Sequence, residues 1–447
     1  MVLEDEIKIK EVDFVEDKKD MKHLKYVELL NDLSIKELDG FKLGNILYTD
    51  IWFGFEMNYI YIIKQTIYRI LFEYLHIELF NSNNSDNLLF TYRFNRRDYD
   101  EYWANFKNLF SEYQEIEISY NYHEKPKASK SICKNIIDMI HIFKKLKFME
   151  ITKSRLWVTL QLFNAIKIKQ NIDRLDVNSN SVFTFFDGGF EGNLVSQYFK
   201  HKGITTITLQ HGQCLYRDKN HDRINQSVIL NFISDYCICK GEFAKKQFVK
   251  AGFEESRLLP LGNLDFSDGL NEGVITEDEK KVFCVFLDTP SYPFYKYSTQ
   301  QLIDIANLYC QEYDFTYFIK PHPADKEKAY LKFIDKKYCK EILNSNQSLD
   351  EIGTRIDFSI FHASAIYADL LLKYMKAYKL ETEIDFDIVL DKFDTFRNID
   401  ELHEKNEIWI NTDVSKKYAF FKEQNELYSN PYDVKRRYQD FIKSLDD

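Results

Sequence analysis

The sequence has no long basic run, no paired cysteine spacing, no short-period repeat and no apolar window as long as the ~18 residues a membrane-crossing helix needs. Each absence removes a class of protein. With a formal net charge of -11 and no basic stretch, a nucleic-acid partner is argued against. The seven cysteines, Cys133, Cys214, Cys237, Cys239, Cys284, Cys310 and Cys339, are odd in number and scattered, with no CxxC pair. That disfavours a disulfide framework and a structural zinc site, and reads as the reduced thiols of a cytoplasmic protein. The first twenty residues, MVLEDEIKIKEVDFVEDKKD, are charged throughout and show no signal-peptide apolar core.

What is present is a soluble globular balance, 45% hydrophobic and 29% charged, in 447 residues. That length exceeds one ordinary core and predicts two domains. The stretch from Ser181 to Lys240 organises the chain. An apolar run, Val182 to Phe186, breaks at Asp187-Gly188-Gly189. A helical pattern through Leu194, Val195, Tyr198 and Phe199 follows and stops at Gly203. A β-branched run, Ile204 to Leu209, then leads into His211-Gly212. Strand, glycine turn, helix and strand make a βαβ unit, and ligands sit outside the carboxyl ends of such strands. Asp187 and His211 are therefore alternative general bases. Glu191 and Gly212 stand behind them as supporting residues. The Gly188-Gly189…Gly192 set is not GxGxxG, which disfavours a redox dinucleotide.

The same alternation surrounds this stretch. Strands are expected at Leu88–Tyr92, Ile116–Tyr120 and Tyr236–Cys239, and helices at residues 59–79, 99–112, 131–147 and 153–172. The 59–79 segment is expected to be one core-facing helix; membrane docking is its alternative reading. A second α/β pattern restarts at Val282, with strands expected at residues 315–319, 357–361, 386–390 and 407–410, and helices at residues 299–312, 325–343 and 431–445. The expected domains are 1–266, a linker at 267–281, a second domain at 282–430, and a C-terminal helix at 431–447 that packs back on the first. Lys320-Pro321-His322-Pro323 follows a strand, and its prolines hold His322 in one orientation. An imidazole and an ammonium there suit a phosphate. His362-Ala363-Ser364 stands where a strand meets a helix, where free backbone N–H groups favour an anion. Ser364 as a simple N-cap is the competing reading.

Four segments, DGGFEGN…GITTITLQHG (187–212), DYCICKGEFAKKQFVKAGF…LLPLGN (235–263), FIKPHP (318–323) and DFSIFHASAIYADLLL (357–372), together resemble GT-B-fold glycosyltransferases of bacterial surface-polysaccharide synthesis. The nearest likeness is to the CDP-glycerol glycerophosphotransferase and capsule-transferase group. This implies an α/β protein of GT-B architecture, with two Rossmann-like parallel-sheet domains facing across a cleft. It implies a nucleotide-activated donor, CDP-, CMP- or UDP-linked, held by the second domain without a metal or cofactor. Lys320, His322, Ser364, Gly262 and Asn263 would hold the donor, with His362 and Ala363 behind them. The first domain would hold a glycan or lipid-linked glycan acceptor of capsule or teichoic-acid type, at the inner face of a membrane. Phe186-Asp187-Gly188 and His322-Pro323 are similar in part to bacterial sialyltransferases, which implies a CMP-sugar as an alternative. A CDP-glycerol-type polyol-phosphate transferase, a UDP-N-acetylglucosamine 2-epimerase and a catalytically silent scaffold are the further alternatives.

Overall fold

The computed structural model of the chain describes residues 19–445, except 35–36, 39, 81–84, 93–96, 121–126, 148, 150–152, 176, 211, 213–215, 217–226, 265–274, 276–279, 289–294, 323–324, 326–327, 345–346, 363, 365, 383–388 and 390. The chain forms two units. Unit 1 comprises residues 1–238, 247–259 and 438–447, and unit 2 comprises residues 239–246 and 260–437. Each is an α/β body with its own parallel sheet.

In unit 1 a helix at Lys19–Ser34, an antiparallel strand pair and a short helix at Leu43–Ile46 lead into α1 (Tyr48–Glu56) and α2 (Tyr59–Leu71). Then come β1 (Leu75–Phe80), β2 (Asn87–Tyr92), β3 (Gln114–Tyr120), α3 (Ile132–Lys145) and α4 (Lys153–Ile172). The βαβ stretch supplies β4 (Ser181–Thr184), α5 (Phe190–His201) and β5 (Thr205–Leu209), and the sheet ends with β6 (Tyr236–Ile238) and β7 (Leu258–Leu259). Its order is β7-β6-β5-β4-β2-β3-β1. All neighbours are parallel except β1, which runs antiparallel to β3 from Leu75↔Tyr120 to Phe80↔Glu115. The order reverses between β2 and β4. Helix α4 is buried along most of its length, with Val158, Leu162, Phe163 and Ile168 in the core.

Unit 2 is built on β8 (Val282–Phe286), α6 (Tyr295–Tyr313), β9 (Thr316–Lys320), β10 (Cys339–Ile342), β11 (Phe358–Phe361), α7 (Ile366–Leu372), β12 (Ala377–Leu380) and β13 (Thr395–Phe396). Two helices follow, α8 (Ile399–Ile410) and α9 (Val414–Tyr428). Its sheet is wholly parallel, in the order β10-β9-β8-β11-β12-β13. This is a doubly wound order, and it reverses between β8 and β11. Phe283 lies flat on Phe358 at 5.1 Å across that seam, with Tyr309 and Phe315 closing the core around them.

Three expected elements come out differently. Helix α2 ends at Leu71, and the apolar residues beyond it form β1, which pairs antiparallel with β3 at the sheet edge. Residues 407–410 are helical, since Asn398 caps α8 by accepting from Glu401 N at 2.9 Å while the Glu401 carboxylate reaches back to Arg397 N at 3.0 Å. Among the described residues of 325–343 there is no long helix. Lys328 adopts a left-handed φ of 51°, a short 3₁₀ turn covers Ala329–Phe333, and β10 joins the sheet edge. The expected strand at 386–390 falls mostly outside the described residues, as does the stretch expected as linker.

Candidate functional site

Both sheets place polar side chains at their carboxyl edges. In unit 2, β8 runs into Asp288 and β11 into His362. The Asp288 carboxylate accepts from Ser298 Oγ at 2.9 Å and lies 3.3 Å from His362 Nδ1. His362 Nε2 lies 2.9 Å from Thr382 Oγ1, just past β12. His362 and Asp288 are both buried, so this string braces the three strand ends rather than facing a ligand. More open groups stand beside it. Lys320, the last residue of β9, donates to Asn344 O at 3.1 Å, and its partial burial lowers the ammonium pKa. The Lys320 carbonyl accepts from Leu287 N. His322 is half-buried, and its carbonyl accepts from Asp325 N at 2.9 Å. Ser364 is also half-buried, and its Oγ accepts from Ile366 N at 3.3 Å. Asp288, His362 and Ser364 flank the reversal of strand order, with Lys320 and His322 one strand away.

Two expected donor residues are engaged elsewhere. A Cβ on Gly262 would meet Asn430 O at 2.3 Å, and its φ of +110° suits glycine alone. Asn263 N donates to Ser429 O at 2.8 Å. Packing against the 429–430 backbone thus fixes Gly262 and the Asn263 N–H. A cavity of unit 2, about 770 Å³, lies at the opposite, amino edge of the sheet, beside Asp357, Lys376, Trp409 and Lys417.

In unit 1 the Asp187-Gly188-Gly189 turn is clamped. Asp187 Oδ2 accepts from Ile233 N at 3.0 Å and Ser234 N at 2.7 Å, and Asp187 N donates to Thr208 Oγ1. Asn193 Nδ2 donates to the Asp187 carbonyl and Asn231 Nδ2 to that of Gly188. Burial pushes the Asp187 carboxyl up, against the bonds from Ser234 and Ile233. A carboxylate so enclosed and bonded to backbone holds the turn. His211 and Ala363 lie outside the described residues. Gly212 has a φ of +66°, and its carbonyl accepts from Gln210 Nε2 at 2.6 Å.

Glu191 leads from this turn into a second feature. A cavity of about 310 Å³ is lined by Thr49, Asp50, Arg69, Tyr120, Gln161, Asn164, Gly189, Phe190 and Glu191. Tyr120 ends β3 and Glu191 follows β4, so the cavity lies at the carboxyl edge, across the reversal point of this sheet. Tyr120 Oη donates to Glu191 Oε1 at 2.8 Å, Asn164 Nδ2 to Tyr120 Oη at 3.1 Å, and Tyr74 Oη to Asn164 Oδ1 at 3.0 Å. Arg69 donates to Gln161 Oε1 at 3.4 Å. Burial and then the Glu191 charge push Asp50 up to about 7. Burial also raises Glu191, opposed by the Tyr120 bond and Arg69. Reading the sequence missed Asp50, Tyr120, Gln161 and Asn164. The available signal was the pair Gln161 and Asn164, two amides spaced i, i+3 inside the otherwise apolar stretch Leu160–Ile166 of α4. Among the described residues no three His, Cys, Asp or Glu side chains stand together as a metal-ligand set.

No protein-family model matches the chain, and no curated protein matches it by sequence. Among solved structures, a Listeria monocytogenes protein assigned as a UDP-N-acetylglucosamine 2-epimerase is similar over 81% of this chain and 97% of its own, with 8% identity and a TM-score of 0.50. S. aureus MnaA, solved with UDP, is similar over 80% and 96%, with 10% identity and a TM-score of 0.48. TarM is similar over 64% and 58%, with 12% identity and a TM-score of 0.42. The Listeria likeness is one of fold: the chain is an α/β protein of the GT-B type.

Proposed function

We propose that the chain is a nucleotide-sugar-dependent glycosyltransferase whose donor seats at the carboxyl edge of unit 2. The observation that carries this is the reversal of strand order between β8 and β11, with Lys320, His322 and Ser364 set around it. A phosphate leaving the sugar gains negative charge, and preset donors at that edge stabilise it. Lys320 supplies the charge, His322 and Ser364 supply hydrogen bonds, and Asp288 with His362 keeps the edge rigid. The reading gives no role to a metal, so EDTA leaves turnover unchanged. Calorimetric titration with UDP, CDP and CMP tests it. One nucleotide binds, and Lys320→Ala weakens it about tenfold, or ~1.4 kcal/mol. The nucleotide that binds separates a UDP-sugar enzyme from CDP-glycerol-type and CMP-sugar transferases. No binding by any of the three favours a silent scaffold, and solvent-proton exchange into the donor sugar without an acceptor favours an epimerase.

The acceptor we infer is a surface glycan, capsular, teichoic-acid-like or lipid-linked, reached from the cytoplasmic face of a membrane. Among the described residues no helix is long and apolar enough to cross a bilayer. Helices α2 and α3 nonetheless expose Ile60 (66%), Ile63, Ile67, Ile136, Ile137 (65%) and Ile140. Lys64, Lys134, Lys144 and Lys145 are exposed on the same two helices. Isoleucines interleaved with lysines suit an anionic lipid surface. Co-sedimentation with phosphatidylglycerol vesicles but not phosphatidylcholine vesicles is expected, lost in Ile60→Glu/Ile137→Glu; equal sedimentation with both would sink the inference.

A further inference from the structure

The cavity of unit 1 is polar in an unusual proportion. Seven of its nine lining residues carry polar side chains, Phe190 is the one apolar side chain, and Gly189 completes the wall. Its volume, about 310 Å³, is at the small end of ligand sites. That is too little for a nucleotide sugar, and two carboxylates against one guanidinium would repel a phosphate. The amides of Gln161 and Asn164, the hydroxyls of Thr49 and Tyr120 and the Arg69 guanidinium offer donors and acceptors in turn. A ligand with several hydroxyls on a compact ring matches that chemistry.

We propose that this cavity seats a single monosaccharide ring, and that Asp50 takes the proton from its reacting hydroxyl. The two carboxylates are differently placed. Glu191 is held by Tyr120, which is held by Asn164, which is held by Tyr74. Asp50 is fixed through its backbone, whose carbonyl accepts from Trp157 Nε1 at 2.7 Å, while Thr49 Oγ1 reaches its carboxylate only at 3.5 Å. The Asp50 carboxylate is therefore the less encumbered proton acceptor. The titratable and charged groups facing it are Arg69 from α2, Tyr120 from β3 and Glu191 from α5; α4 contributes only the neutral Gln161 and Asn164. Burial and the Glu191 charge push Asp50 up to about 7, while Tyr120 holds Glu191 as an acceptor, which separates a proton-carrying from an orienting role near neutral pH. In the step, the ligand O–H bond breaks and its proton goes to Asp50. The oxygen pair forms the new bond to the anomeric carbon of the donor. The bond from that carbon to the phosphate oxygen breaks, and its electrons leave with the nucleotide.

The step rests on the transferase reading; occupancy of the cavity does not, and the two are tested apart. Saturation-transfer NMR with free N-acetylglucosamine, glucose and galactose on the full chain is expected to show at least one of them bound, with the signal lost in Gln161→Leu. No sugar bound to the wild type overturns the site, whatever the nucleotide result. Where calorimetry identifies a donor, its consumption with that sugar is expected to rise with pH, with a midpoint near 7. Asp50→Asn should lower it by about 10²-fold or more and erase that limb, with nucleotide affinity unchanged. Glu191→Gln, a second isosteric change, should raise KM more than it lowers kcat. Turnover in Asp50→Asn within about twofold of wild type, or a limb that persists there and vanishes in His211→Ala, assigns the base elsewhere. A bound sugar with no bound nucleotide overturns the transferase and leaves the cavity standing.

Discussion

Asp50 carries a proton in the folded protein up to about pH 7, whereas in an unfolded chain it releases it near 3.8. Between those values unfolding sheds a proton. Its contribution to stability is therefore full below pH 3.8 and is lost as pH rises through about 7. Asp50→Asn has no proton to shed. The difference in Tm, variant minus wild type, is expected to increase from pH 4.5 to pH 8 by a few degrees, on the order of ~2–4 °C per kcal/mol. Calorimetric melts at both values check it, and a flat difference would show an unperturbed carboxylate. Residues of this kind were poorly legible in the sequence. Asp187 was visible as a strand-end acid, but the N–H groups that bind it come from Ile233 and Ser234, 46 and 47 positions away. Asp50 meets Glu191 only through the packing of α1, α4 and α5, and no local pattern announces such a meeting.

At the scale of elements the sequence was far more readable, because hydrophobic period and glycine punctuation are local. The bounds of α4 and the order of β4, α5 and β5 follow directly from them. What failed were segments decided by distant partners, such as β1, or by a capping pair, as at α8. One glycine shows why the βαβ turn has its sequence. A Cβ on Gly192 would lie 1.9 Å from Phe186 O, so the first turn of α5 packs on the end of β4 at glycine distance. Gly192→Ala is expected to cost about 3 kcal/mol in urea unfolding, through displaced backbone. A loss below ~0.5 kcal/mol would mean the turn yields freely. A second element-scale test concerns β12. Lys376, at its amino end, pairs with buried Asp394, which also accepts from Tyr367 Oη at 2.6 Å. Lys376 lies 4.2 Å from the Trp409 ring centre. Lys376→Met strands that carboxylate and should destabilise unit 2 by about 3–5 kcal/mol, and Lys376→Met/Asp394→Asn should recover much of it.

For the whole molecule, length and hydrophobic period led to the expectation of two α/β bodies with a C-terminal helix returning to the first, but not to residues 239–246 lying in unit 2. Unit 1 takes residues 438–447 after the chain has completed unit 2. There Tyr438 meets Phe106 edge-on at 6.1 Å, and Phe441 meets Tyr236 at 6.1 Å. Removing residues 438–447 is expected to lower the melting transition of unit 1 by several degrees, and differential scanning of the shortened chain checks it. During synthesis this order of assembly has a consequence. Domains generally fold as units while the ribosome works. Here the body begun first finishes last, because its Phe106 and Tyr236 rings lack Tyr438 and Phe441 until residues 438–447 have emerged. A nascent chain stalled at residue 430 would expose apolar surface to chaperones that the released protein no longer presents.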